Sequence, residues 1–197
     1  MLRKVLTAFF GLCAAAVLSA PPAKADPAVT GITIASVPFL IWALFEDTPK
    51  TRDPDLISAN VGLYDAVDNE LQAPTFGMEY RSNYFLWKFK PIVGVHGSTR
   101  GQAIAYAGLR LDAYFAKRFV ISPSLAPALY IKGDGKDMGS AGVLRSGLDF
   151  SIRFDNRSEL GVGFHHMSHG KVFGNKNPGT ETIQLFYAMP LDKLFGK

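Results

Sequence analysis

Over residues 144–155 the chain alternates without a break. Leu144, Ser146, Leu148, Phe150, Ile152 and Phe154 fall on one face of an extended segment, and Arg145, Gly147, Asp149, Ser151, Arg153 and Asp155 fall on the other. Strand side chains point to opposite faces with period two, so one face here is hydrocarbon and the other charged. The pattern recurs over 102–115, where Ala103, Ala105, Ala107, Leu109, Leu111 and Phe115 oppose Gln102, Tyr106, Arg110 and Asp112. It recurs again where Trp87, Phe89, Val93 and Val95 oppose Lys88, Lys90 and His96. A chain patterned in this way must build a sheet with one apolar face.

The alternation predicts eight strands, at 57–67, 74–82, 86–97, 102–115, 118–131, 142–155, 158–168 and 181–190. Most approach the roughly 9 to 11 residues that cross a bilayer as tilted β-structure, and eight strands make the smallest bacterial outer-membrane barrel. A soluble sandwich would show the same alternation, with the apolar face turned to a second sheet. The connections favour the barrel. Links after strands two, four and six are short, whereas 132–141 and 169–180 are longer, as expected of periplasmic turns and extracellular loops. The fold class is therefore all-β, an eight-stranded antiparallel outer-membrane β-barrel. Its lumen is expected to hold Glu79, Arg81, Lys88, Lys90, Arg110, Asp112, Arg145, Asp149 and Arg153, paired across an interior filled by side chains.

The N-terminus fits export. Arg3 and Lys4 precede an apolar run over 5–18, and Ala23-Lys24-Ala25 gives a small-x-small cleavage pattern before Asp26. The single cysteine, Cys13, lies inside this signal without a lipobox, so the mature chain has no thiol and no disulfide. The expected organisation is a signal peptide at 1–25, an N-terminal apolar segment and linker at 26–55, and the barrel with a lipid-facing site at 56–197. The apolar stretch 29–45, with Pro38 at its centre, is marginal as a spanning helix and suits either the periplasmic interface, with Trp42 at headgroup depth, or a contribution to strand one in a different register. The formal charge of +4 includes Arg3, Lys4 and Lys24, which leave with the signal, so the mature chain is close to neutral and has no basic patch for nucleic acid.

Residues able to do chemistry collect near the C-terminus, in Gly163-Phe164-His165-His166-Met167-Ser168-His169-Gly170 and then Asn177-Pro178-Gly179-Thr180-Glu181. In the seventh strand His166 and Ser168 continue the apolar stripe of Leu160, Val162 and Phe164. In the eighth, Glu181 shares a face with Ile183, Leu185, Tyr187 and Met189. Strands joined by a hairpin loop are antiparallel neighbours, so an imidazole, a hydroxyl and a carboxylate come together on the greasy face. With both termini periplasmic, that face lies near the extracellular rim and points to lipid. Ionisable groups at bilayer depth are costly, and a substrate that is itself a lipid of that leaflet gives them a purpose.

The segment His166-Met167-Ser168, the loop, Asn177-Pro178-Gly179-Thr180-Glu181 and the terminal apolar strand resemble the lipid A 3-O-deacylases, the PagL-like family also labelled acyloxyacyl hydrolase-like. Gly62-Leu63-Tyr64-Asp65 and Phe76-Gly77-Met78-Glu79-Tyr80-Arg81 are similar to that family's early strands, and the resemblance spans 57–190. Where the best-known members have Asn directly after the serine, this chain has His169, and its serine-to-glutamate loop is one residue longer. The resemblance implies an outer-membrane serine esterase that removes an ester-linked acyl chain, the 3-O chain, from lipid A of lipopolysaccharide. It assigns His166 as base, Ser168 as nucleophile and Glu181 as orienting acid. Backbone N–H groups at His169 and Gly170, with the Asn177 side chain, are the candidates for stabilising the oxyanion. The mechanism calls for no metal or organic cofactor. The expected partners are lipid A and membrane lipid, with a homodimer left open.

Other readings compete with each part of this account. Three neighbouring histidines suggest zinc, but His165 and His166 point to opposite faces and no further ligand follows at metal spacing. His165 is expected in the lumen, unless a one-residue bulge exchanges it with His166. Asn177-Pro178-Gly179 has the residue types of a plain turn, a role compatible with function. A non-catalytic structural barrel would keep the alternation but has no reason to gather His, Ser and Glu on lipid. An outer-leaflet acyltransferase would use the same nucleophile and form a new ester.

Overall fold

A computed structural model describes residues 53–116 and 118–194, and the expectations for residues 1–25 and 26–52 lie outside them. The strands are β1 (Leu56–Tyr64), β2 (Ala73–Arg81), β3 (Phe89–Ser98), β4 (Ala103–Leu111), β5 (Ala113–Phe115), β6 (Phe119–Ile131), β7 (Gly142–Arg153), β8 (Glu159–Ser168) and β9 (Thr180–Pro190), followed by a single turn, α1 (Leu191–Leu194). Each strand is antiparallel to its neighbours. β9 pairs with β1 from Leu56↔Pro190 to Tyr64↔Thr182, and β4 pairs with β6, so the sheet closes on itself. β4 and β5 both pair with β6 in one continuous register, from Ala103↔Ile131 to Phe115↔Phe119, interrupted at Asp112. They are one strand of an eight-stranded barrel.

Closure follows from the alternation. Val93 and Val95 on β3, Phe76 and Met78 on β2, Val162 on β8 and Leu185 on β9 all point outward and lie half exposed or more, as a belt that lipid hydrocarbon covers. The inward positions carry the charge. Arg81 reaches Glu79 at 2.7 Å and Asp149 at 2.6 Å, with Glu159 at 3.8 Å. Asp112 takes Lys90 at 2.8 Å, Arg110 at 2.6 Å and the Ser122 hydroxyl at 2.8 Å. Arg145 stacks on Tyr106 at 4.2 Å, and Tyr106 donates its hydroxyl hydrogen to Glu79 at 2.7 Å. An internal cavity of about 20 Å³, lined in part by Thr75, His96, Gln102, Arg145 and His165, has room for about one water. The barrel is a packed core and not a channel.

Lys88 lies outside the strand expected to carry it. Trp87 sits at φ +66°, and Leu86 and Phe89 close a tight bridge, so the alternation is broken and β3 begins only at Phe89. Lys88 lies in that turn. Arg153 ends β7 at the rim where β1 begins and β9 ends, and Asp53 meets it there at 2.6 Å.

The opposite rim is capped by its loops. Asp65, fully buried after β1, accepts the backbone N–H groups of Glu70 and Leu71 and the Lys136 ammonium at 2.8 Å. Lys136, from the 132–141 loop, also binds Asp68. Its backbone N–H donates to the Tyr64 hydroxyl, and its carbonyl accepts from the Tyr130 hydroxyl at 2.9 Å. Burial alone would raise the Asp65 carboxyl, but the hydrogen bonds from Lys136, Leu71 and Glu70 hold it below its ordinary value. Burial would lower the Lys136 ammonium, and Asp65 and Asp68 hold it above.

Candidate active site at the loop rim

The ladder between β8 and β9 runs without a bulge from Glu159↔Ala188 to Met167↔Thr180, and it sets His166 directly opposite Glu181. The alternation therefore stays in phase through the two adjacent histidines. His165 turns inward, 2% exposed, with Nε2 3.1 Å from Asp149 Oδ1. His166 turns outward, in the stripe of Leu160, Val162 and Phe164.

His166 Nδ1 lies 2.8 Å from Glu181 Oε1. A carboxylate only accepts, so the hydrogen sits on Nδ1 and Nε2 presents its lone pair. The two partners differ in exposure: the Glu181 side chain is 5% exposed and that of His166 27%. The acid is enclosed while the imidazole keeps an open edge. Glu181 is further fixed through its backbone, because its carbonyl accepts the Ala66 N–H at 3.1 Å, and its neighbour Thr180 donates to Asp65 Oδ1 at 3.3 Å. The capping loop thus braces the strand that carries the acid.

Ser168 occupies the same outward face two residues beyond His166 and pairs with Leu144 of β7. It is half buried, and its hydroxyl makes no hydrogen bond to the imidazole in this structure. Positions i and i+2 of a strand are about 6.6 Å apart along the chain, a gap an imidazole spans by rotating about its side-chain bonds. Hydrogen bonds of catalytic pairs are often long in the ligand-free state.

The neighbouring loop places the other three candidates. The His169 ring is buried, with Nε2 at 2.9 Å from both the Met138 and Lys176 carbonyls, which marks it as the protonated nitrogen. Its backbone N–H donates to Asn177 Oδ1 at 3.0 Å. In this conformation His169 therefore fastens the 170–176 loop, and its N–H is already engaged. Gly170 stands exposed at φ +57°, and a Cβ there would meet no atom within 4 Å. The Asn177 oxygen is taken by His169, so the group it could turn toward a reacting centre is its NH₂.

Two contributors lie in segments that the sequence singles out, but neither has a role assigned from it. Asp65, beneath Thr180, looks like any turn residue after a strand. Gly179, at φ +73°, packs against the His166 ring, and only the assembled loop brings it there. Among the described residues, no group of three His, Cys, Asp or Glu side chains is arranged to hold a metal.

Comparison with known proteins gives three results. A family model described as Lipid A 3-O-deacylase (PagL) matches residues 63–190. Curated proteins returned no match. Among solved structures the chain is similar to the outer membrane enzyme PagL, with TM-score 0.55 and 18% identity over 69% of this chain and 99% of that one. It is also similar to Neisserial surface protein A, with TM-score 0.47 and 12% identity over 70% and 96%. A de novo designed transmembrane β-barrel matches with TM-score 0.45 and 11% identity over 70% and 97%.

Proposed function

The chain belongs to the lipid A 3-O-deacylase (PagL) family, and from that premise we propose that it is an outer-membrane serine esterase cleaving the 3-O acyl ester of lipid A with Ser168, His166 and Glu181. The observation that carries the reading is the 2.8 Å pair of His166 Nδ1 and Glu181 Oε1 on the lipid-facing side of the barrel. A buried acid orienting an imidazole has no structural use there. Its cost is explained by a reaction on a lipid that arrives from the same side.

In the mechanism, His166 Nε2 takes the Ser168 hydroxyl proton as Oγ attacks the ester carbonyl. Glu181 holds the tautomer that leaves Nε2 free and stabilises the imidazolium that forms. The negative charge on the former carbonyl oxygen meets N–H donors at the loop, for which Gly170 N–H and the Asn177 NH₂ are the candidates. Collapse breaks the ester C–O bond, and the imidazolium gives its proton to the departing sugar oxygen, which leaves as a free hydroxyl. Water, deprotonated by His166, then attacks the acyl-serine carbonyl, and the imidazolium returns that proton to the departing Ser168 Oγ, releasing the acyl group as a free fatty acid. The outward apolar stripe and the surrounding bilayer keep the acyl chain in hydrocarbon throughout.

Purified protein in detergent is to be incubated with lipid A in ¹⁸O-water. Hydrolysis through an acyl-serine predicts a free hydroxy fatty acid carrying one ¹⁸O with wild type and none with Ser168→Ala. Release by Ser168→Ala at the wild-type rate would remove the serine from the mechanism. Appearance of the acyl group only in a new ester would replace hydrolysis by transfer.

A further inference from the structure

We propose that Gly179 is a positioning residue for His166, a wall of bare backbone that fixes the imidazole edge between its two nitrogens. The proposal rests on the reading of His166 as the general base. A Cβ built at residue 179 would lie 3.0 Å from His166 Cε1, 3.7 Å from Nε2 and 3.8 Å from the Met167 carbonyl oxygen. Ordinary contact between carbon atoms is about 3.5 to 4.0 Å, so any side chain at 179 requires the ring to give way by a few tenths of an ångström.

The ring is consequently held on two sides. Glu181 Oε1 binds Nδ1 at 2.8 Å, and the space a Cβ at residue 179 would occupy lies against the adjacent Cε1 edge. The backbone at 179 has little room to retreat. Thr180 pairs with Met167 and donates to the buried Asp65, while Asn177 accepts the His169 N–H. A side chain at 179 would therefore move the ring. It would stretch the bond to Glu181 and crowd Nε2, the nitrogen that exchanges the proton with Ser168.

Gly179 also has φ +73°, where any L side chain is strained, so the test must separate strain from the wall. Gly101 supplies the control: its φ is +77°, yet a Cβ there would meet no atom closer than 3.9 Å. Asparagine tolerates the left-handed region better than alanine, so Gly179→Asn keeps the intruding Cβ at lower backbone strain and serves if Gly179→Ala folds poorly.

The variants Gly179→Ala, Gly179→Asn and Gly101→Ala are to be compared in micelles, with folding scored by the heat-dependent gel shift of the barrel. Histidine labelled at Cε1 reports the ring directly, and the His166 signal is identified by its loss in His166→Gln. Both Gly179 variants should shift the His166 Cε1 resonance and leave that of His96 in place. They should lower kcat on lipid A by about tenfold to a hundredfold, with KM little changed. Gly101→Ala should do neither. A folded Gly179 variant with an unmoved resonance, or with wild-type kcat, overturns the proposal, as does an equal kcat loss in Gly101→Ala. If wild type itself does not deacylate lipid A, the esterase reading falls on its own, and the resonance still decides whether Gly179 sets the ring.

Discussion

Replacing Glu181 by glutamine tests the link between the cross-strand pair and the chemistry, because it removes a charge while keeping shape. The carboxamide is isosteric, and the side chain remains enclosed beside His166. Barrel stability should change by no more than about 1 kcal/mol, since one hydrogen bond is exchanged for another. The effect on catalysis is much larger. With Nδ1 2.8 Å from Oε1, the centres of the imidazolium and carboxylate charges lie near 4 Å apart. At that distance, and at an effective dielectric constant of about 20, their attraction is about 4 kcal/mol, or roughly three decades in rate. Glutamine can also donate its NH₂ to Nδ1, which moves the histidine hydrogen to Nε2 and removes the base, for a total loss approaching 10⁴ in kcat. The assay is release of fatty acid from lipid A in mixed micelles, with the heat-dependent gel shift confirming a folded barrel. A folded Glu181→Gln protein that keeps kcat within about tenfold of wild type would refute the reasoning, because neither the charge nor the tautomer would then matter.

Further expectations follow from other parts of the molecule. Arg81→Met should destabilise the barrel by about 3 to 5 kcal/mol in urea unfolding, because it leaves Glu79 and Asp149 buried without their cation. The cap at Asp65 and Lys136 should depend on pH at both extremes. The Asp65 carboxyl is held below its ordinary value of 3.8, so its contribution is complete above that pH and is lost as pH falls through the lowered value. The Lys136 ammonium is held above 10.5, so its contribution is complete below that pH and is lost as pH climbs through the raised value. Amide exchange at Glu70 and Leu71, whose N–H groups Asp65 holds, should be protected between these limits and open outside them, and Asp65→Asn should weaken the protection throughout. His169→Ala strips the Met138 and Lys176 carbonyls of their donor. It should loosen the 170–176 loop by about 1 to 3 kcal/mol, read as faster proteolytic nicking there while the barrel stays intact.

The period-two pattern made much of this architecture legible. The strand positions, the closure into eight, the inward charges and the outward face of His166, Ser168 and Glu181 all follow from which residues alternate. The remaining features depend on contacts that alternation does not encode. Lys88 falls in a turn and not in a strand because a left-handed residue at Trp87 breaks the phase, and nothing in the residue type announces that. Glu159 falls on the inward parity, but its place beside Arg81 depends on how far the barrel's far wall approaches. His169 looks like a site residue because it follows the serine. Its candidate group is the backbone N–H, which Asn177 Oδ1 holds here, while its ring binds two carbonyls, and a backbone acceptor leaves no trace in a sequence. Asp65 is held by a lysine 71 positions later, across two loops whose packing only the folded barrel defines.

The most direct measurement is mass spectrometry of lipid A from outer membranes carrying wild type or Ser168→Ala at matched levels of folded barrel. The account predicts loss of one hydroxyacyl mass with wild type and intact lipid A with Ser168→Ala. Intact lipid A in both, with both proteins folded and inserted, would contradict it.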